Sequence, residues 1–166
     1  MMIKGIVWIL GNFSFVMLVL AVVLTILQKI KNKKLSLWEI LYRWIALFAL
    51  GIMGIYGFIM HAFFPDISAA TIGWQNSPFQ YEVAIANLGF GLIALLSFRA
   101  AYPFRLASVI GNACWLWGDA VGHIYQMISQ HNFATGNAGT WFWTDVLVPL
   151  LAVICIVKLK HVKGIR

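Results

Sequence analysis

The sequence predicts an all-α fold: one integral membrane domain over residues 1–166, a five-helix bundle with its N-terminus outside and its C-terminus in the cytoplasm. Three observations predict it. Hydrophobic residues make up 62% of the 166 residues and charged residues 10%, whereas a soluble domain is about a quarter charged. The apolar residues gather into five long runs, and Lys and Arg fall almost entirely between alternate runs.

A hydrocarbon core about 30 Å thick takes roughly 20 apolar residues per spanning helix. Runs of that kind lie at about 5–28, 41–64, 79–98, 105–128 and 141–157. The first is too long for the apolar core of a signal peptide, and no small-residue cleavage site precedes its closing lysines, so it is expected to stay as a helix. The third begins at Ser77-Pro78-Phe79-Gln80, which reads as a capping box with Pro at the first helical position and sets Glu82 in the early turns. In the fifth, Pro149 cannot donate to the carbonyl four residues earlier and so frees the backbone oxygen of Asp145. Cys114 and Cys155 both fall inside apolar runs and read as reduced packing residues. No repeat, linker or soluble module is visible.

Orientation follows from the basic residues. Lys29, Lys31, Lys33, Lys34 and Arg43 flank the first loop, Arg99 and Arg105 the third, and Lys158, Lys160, Lys163 and Arg166 form a tail; on the other side there is Lys4. By the positive-inside bias the first group is cytoplasmic. The net charge of +7 is then a topology signal directed at anionic membrane lipid, and nucleic acid is not expected as a partner. The loops on the opposite side, 65–80 and 129–140, contain no Lys or Arg and are rich in Gly, Asn and Ser, as ordered caps would be. Trp74, Trp141 and Trp143 stand where an aromatic belt anchors helix ends.

Ionisable groups nevertheless enter the apolar runs. At 1.5 Å per residue from the outer helix ends, His61, Glu82, Asp145, His123 and Asp119 lie at depths of roughly 5, 6, 7, 9 and 15 Å. Four helices thus send polar groups into one layer, and Asn12 reaches a similar depth. On the fourth run Asn112, Asp119, His123, Gln126 and Gln130 fall on one narrow face at helical spacing. His61 continues the line of Gly54 and Gly57, and Glu82 that of Ala86 and Gly89, so both are expected to point inward over small residues.

Three carboxylates at that depth, without Lys or Arg, need compensation, because an unpaired ion in low dielectric costs several kcal/mol. Carboxyl groups that keep their protons and bond to the histidines would supply it as a structural network. A divalent cation would too, and His61, Glu82, Asp119, His123 and Asp145 form a ligand set suited to Zn, Fe or Mn. Such a centre near the periplasmic face would be metal-binding and open to catalysis, whether or not the protein is an enzyme. Haem on His61 and His123 is disfavoured by carboxylates beside an anionic porphyrin. An ion or proton translocation unit is the alternative function, but below Asp119 there is Asn112 and no ionisable residue before the arginines, which favours a dead-end outer site. His131, in the outer loop, and His161, in the tail, read as surface residues.

IGWQNSPFQYEV (72–83), GDAVGHIYQM (118–127) and GNAG followed by Asp145 together resemble a family of small bacterial polytopic membrane proteins of unassigned function. The resemblance covers roughly residues 60–150. It implies a multi-pass protein of the bacterial inner membrane and transfers no catalytic residues. Gly51, Gly54 and Gly57, with Gly111, Gly118 and Gly122, supply more close-approach surface than five helices need, which suggests a homo-oligomer. The orientation itself is testable: a reporter fused after Arg166 should behave as cytoplasmic, and periplasmic activity would reverse the bundle.

Overall fold

The computed structural model describes residues 2–163, with side chains described for residues 3–160; Arg166 and the side chains of His161 and Lys163 lie outside the described residues. Among the described residues nine α-helices follow one another: α1 (Met2–Gly11), α2 (Phe13–Lys31), α3 (Leu37–Trp44), α4 (Met53–Phe63), α5 (Pro65–Ile72), α6 (Phe79–Ser97), α7 (Tyr102–Gln130), α8 (Thr135–Ala138) and α9 (Thr140–Lys163). A π-helical segment, Ile45–Ile52, joins α3 to α4. No strand occurs among the described residues.

Among the described residues four helical stretches are long and apolar enough to cross a membrane: Phe13–Lys31, Leu37–Phe63, Phe79–Ser97 and Thr135–Lys160. The chain is therefore a multi-pass membrane protein. The fifth expected span, α7, has 29 residues and a length of about 43 Å at 1.5 Å per residue. It packs against α6 and α9, and its polar face dilutes its apolarity.

The first run is two helices, not one. Asn12 interrupts it, with its own Nδ2 donating to Trp8 O at 2.9 Å. The carbonyls exposed by the break find donors on other helices: Tyr56 Oη donates to Leu10 O at 3.0 Å, and Trp141 Nε1 donates to Gly11 O at 2.8 Å. Thr140 Oγ1 donates to Asn12 Oδ1 at 2.9 Å, and Phe13 stacks on Tyr56 with ring centres 4.3 Å apart. Tertiary bonds thus replace the missing turn, as backbone groups in an apolar surrounding require.

Helices α4 and α6 meet backbone to backbone. A Cβ on Gly54 would stand 2.6 Å from Gly91 Cα, and one on Gly57 would stand 2.9 Å from the Asn87 side chain. Of the glycines that suggested a partner subunit, Gly51, Gly54 and Gly57 meet α6 within the chain and Gly111 lies against Phe90, whereas Gly118 and Gly122 have no neighbour within 4 Å. The π segment carries a backbone bond from Met53 N–H to Phe48 O, one residue longer than an α-helical bond. At roughly 4.4 residues per π turn it brings the faces of Tyr42 and Gly54 within about 25° of each other, whereas a continuous α-helix would hold them about 120° apart. Both faces then look into the bundle.

The half of the bundle that carries the basic loops, here the basic half, is solidly packed. Its core includes Leu18, Ala21, Ile45, Ala152, Cys155 and Leu159, and Cys155 is a fully buried packing residue. Within it lies an ion cluster: Glu39 pairs with Arg43 at 2.7 Å and with Arg105 at 2.8 Å. Arg105 is buried, donates also to Phe98 O at 3.2 Å, and covers the Tyr42 ring at 4.9 Å. Tyr42 in turn donates to Ser97 Oγ at 2.8 Å. Arg105 is therefore a structural residue as well as a topology signal. Glu39→Gln should cost about 3 kcal/mol in denaturant unfolding of the purified protein, because it leaves a buried guanidinium short of its counter-ion; an unchanged midpoint would show that the pair does not hold α3 to α7.

Candidate functional site

The opposite half, the neutral half, holds a partly open cavity of ≈ 700 Å³. Its shape follows from the elements just described. The break at Asn12 leaves α1 as one wall, the glycine contact of α4 with α6 makes a second, and α7 with α9 makes a third. Gly118 and Gly122 of α7 line it with no neighbour within 4 Å, so these small residues make room in place of a helix contact.

The roof is α5, a helix where the sequence suggested a loop, with Trp74 after it. Gly73 ends α5 at φ 81, a left-handed conformation that favours glycine. Asn132 from the second loop donates through Nδ2 to Ile72 O at 2.9 Å. Gly136 lies so close that a Cβ there would stand 2.8 Å from Thr71 O. The two outer loops interlock, and the glycines of IGW and GNAG are needed at these two points.

Asp119 and His123 come from α7, and Asp145 from α9. The orientation of the His123 ring is set by Asn137, which is fully buried in the second loop. Asn137 Nδ2 donates to Asn132 O at 2.8 Å and to His123 O at 3.3 Å, which leaves Oδ1 as its acceptor. His123 Nδ1 lies 2.7 Å from that Oδ1 and must carry the hydrogen. In the neutral ring Nε2 therefore keeps its lone pair, and it faces Asp145 Oδ2 at 3.6 Å. That gap is too long for a good hydrogen bond. It is close to the ~3.3 Å between two ligands of a tetrahedral cation with bonds of roughly 2.0–2.1 Å. Asp119 interacts electrostatically with both partners. Neither Lys nor Arg stands among the described residues that line the cavity.

The other expected ligands are placed differently. His61 lines the same cavity from α4, where its Nδ1 lies 2.6 Å from Oε1 of the buried Gln80. That contact explains why the expected capping box does not form. Gln80 turns inward to His61 instead of back to the helix start, and α6 begins with no side-chain cap, on bonds from Gln80 N–H to Ser77 O and from Tyr81 N–H to Pro78 O. Glu82 is exposed and apart from the cavity. The inward face of α6 runs through Gln80, Val83, Asn87 and Gly91 and is centred about 145° from Glu82, and Gly89 has no neighbour within 4 Å. No three His, Cys, Asp or Glu among the described residues are grouped tightly enough to hold one metal ion as they stand.

Several residues of the site are not among those expected from the sequence to form it: Asn137, Ser14 and Ser68, and Gln80, which read as a helix cap. Ser14 and Ser68 line the cavity, are 4% and 6% exposed, and their hydroxyls have no hydrogen-bond partner in the protein. Trp141 is engaged with Gly11 O in place of a simple belt role, while Trp143 is 58% exposed, as a belt residue would be. His131 caps α7 at φ 50 on the surface. Asn137→Ala should destabilise the fold by ~2–4 kcal/mol, since it strands two carbonyls and the His123 N–H in a buried place. Thermal unfolding in detergent measures this, and an unshifted transition would mean that the loops are locked elsewhere.

No curated protein and no solved structure matches the chain. A model described as a family of unknown function, DUF6790, matches residues 11–164. With nearly its whole length covered, this membrane protein belongs to the DUF6790 family.

Proposed function

We propose that the cavity is the ligand-binding site of a five-span protein of the bacterial inner membrane, and that Asp119, His123 and Asp145 receive a positively charged group within it. Eleven of the twelve Lys and Arg residues fall on the other side, which supports a periplasmic placement of the neutral half. The length of α7 and its place between α6 and α9 support its being the fifth span.

One observation carries the reading: two carboxylates and an oriented imidazole stand on the wall of a roomy, largely apolar cavity whose described lining contains no basic side chain. In low dielectric that wall favours an occupant with positive charge. His123 Nε2, with its tautomer set by Asn137, is placed to accept a proton from a bound molecule, which is the chemistry that would make the site catalytic. The packed basic half, with Arg43 and Arg105 committed to Glu39, supports a dead-end site over a relay across the membrane.

A divalent cation, Zn, Fe or Mn, is the second reading. It is favoured by the 3.6 Å gap between His123 Nε2 and Asp145 Oδ2 and by the outer bond of the ring to Asn137, an arrangement common around metal-bound imidazole. His61 and Glu82 take no part in that version. Elemental analysis of protein purified without chelator decides between the readings: one metal per chain supports the cation, and its absence leaves a molecular ligand. In either case Asp119→Asn should fold with a change of about 1 kcal/mol or less, as Asn is nearly isosteric with Asp, and should lose the positively charged occupant. An occupant retained at full stoichiometry in Asp119→Asn would remove Asp119 from the site.

A further inference from the structure

We propose that the cavity takes an amphipathic organic cation, a small molecule with an ammonium group at one end and an aromatic or aliphatic body. The inference rests on reading the cavity as a binding site, and it names the class of occupant. Four observations lead to it.

The first is size. A volume of ≈ 700 Å³ lies within the roughly 300–1,000 Å³ of small-molecule pockets and far exceeds what a bare ion fills. The second is charge: Asp119 and Asp145 share a wall that no described Lys or Arg neutralises, so an ammonium gains where an anion is repelled and a neutral molecule gains nothing.

The third is the character of the remaining lining, in which Tyr56, Trp74, Phe90, Trp115 and Trp141 all take part. Rings of this kind attract cations to their faces and bury apolar bodies along their edges. The fourth is the pair of hydroxyls. Ser14 from α2 and Ser68 from α5 are more than nine-tenths buried at the cavity, and neither has a partner in the protein. A buried hydroxyl left so costs about 1–3 kcal/mol, and a hydrogen-bonding group on a ligand would recover it. A metal on His123 and Asp145 would leave both hydroxyls unsatisfied and the apolar wall uncovered.

The test uses full-length protein in lipid nanodiscs and three probes of similar length, each a phenyl ring on a four-carbon chain: phenylbutylammonium, phenylbutanol and phenylbutyrate. Binding is read by calorimetry and by the fluorescence of the cavity tryptophans. The ammonium should bind one per chain, about tenfold or more tighter than the alcohol, with phenylbutyrate weakest. Asp119→Asn should weaken the ammonium by about tenfold and leave the alcohol unchanged.

The three-probe comparison on the wild-type chain stands even where the variant fails to fold. Equal affinity for ammonium and alcohol would overturn the organic-cation class while leaving the cavity as a binding site. Stoichiometric zinc that excludes the ammonium would also overturn it, in favour of the metal. Failure of all three probes to bind would remove both the class and the binding-site reading.

Discussion

A charge held in hydrocarbon has to be matched by another charge, a proton or a ligand, and the two halves of this bundle meet that demand differently. In the basic half Glu39 is clamped by Arg43 and Arg105, and Tyr42 and Ser97 surround the clamp. Charge is settled there by the chain itself, and the packing around it is dense. In the neutral half Asp119 and Asp145 face a cavity with His123 beside Asp145 and neither Lys nor Arg among the described lining. The asymmetry between a settled half and an open half is what gives the fold a site.

The same asymmetry appears in the backbone. The π segment turns α3 and α4 so that the ion cluster at one end and the Gly54, Gly57 and His61 face at the other both look inward. The close approach at Gly54 and Gly91 pulls α4 onto α6, and the break at Asn12 releases α1 to stand as a wall. Each feature has a local cost: a lengthened hydrogen-bond ladder, two glycines in helix interiors, or a lost helical turn. Each is offset by tertiary bonds, of which those from Tyr56 and Trp141 to the carbonyls of Leu10 and Gly11 are the most direct. The outer loops then fix the His123 ring through Asn137, so the chemistry of the site depends on a loop residue with no charge of its own.

What was legible in the sequence is what depends on periodicity and length. The runs at 79–98 and 105–128 are single helices within a few residues of their expected limits, and the spacing of Asn112, Asp119 and His123 put them on one face because α7 is uninterrupted. What was hidden depends on partners distant in sequence. Glu82 seemed to sit above small residues facing inward, but Gly89 on that face opens outward, and the true inner face is marked by the polar amides Gln80 and Asn87. Ser77 and Gln80 had the spacing of a cap, yet His61 draws Gln80 away. The break at Asn12, the π segment and the role of Asn137 all follow from tertiary hydrogen bonds or register, which no local pattern encodes. Arg105 read as a topology signal because its counter-ion lies 66 residues away.

The most direct test is an experimental structure of the protein extracted in native lipid without chelator. Density inside the cavity is expected, with a positively charged group within hydrogen-bonding or ion-pair reach of both Asp119 and Asp145 and with Asn137 still holding the His123 ring. A cavity collapsed by side chains, or filled by an uncharged acyl chain with the two carboxylates bonded only to protein groups, would contradict it.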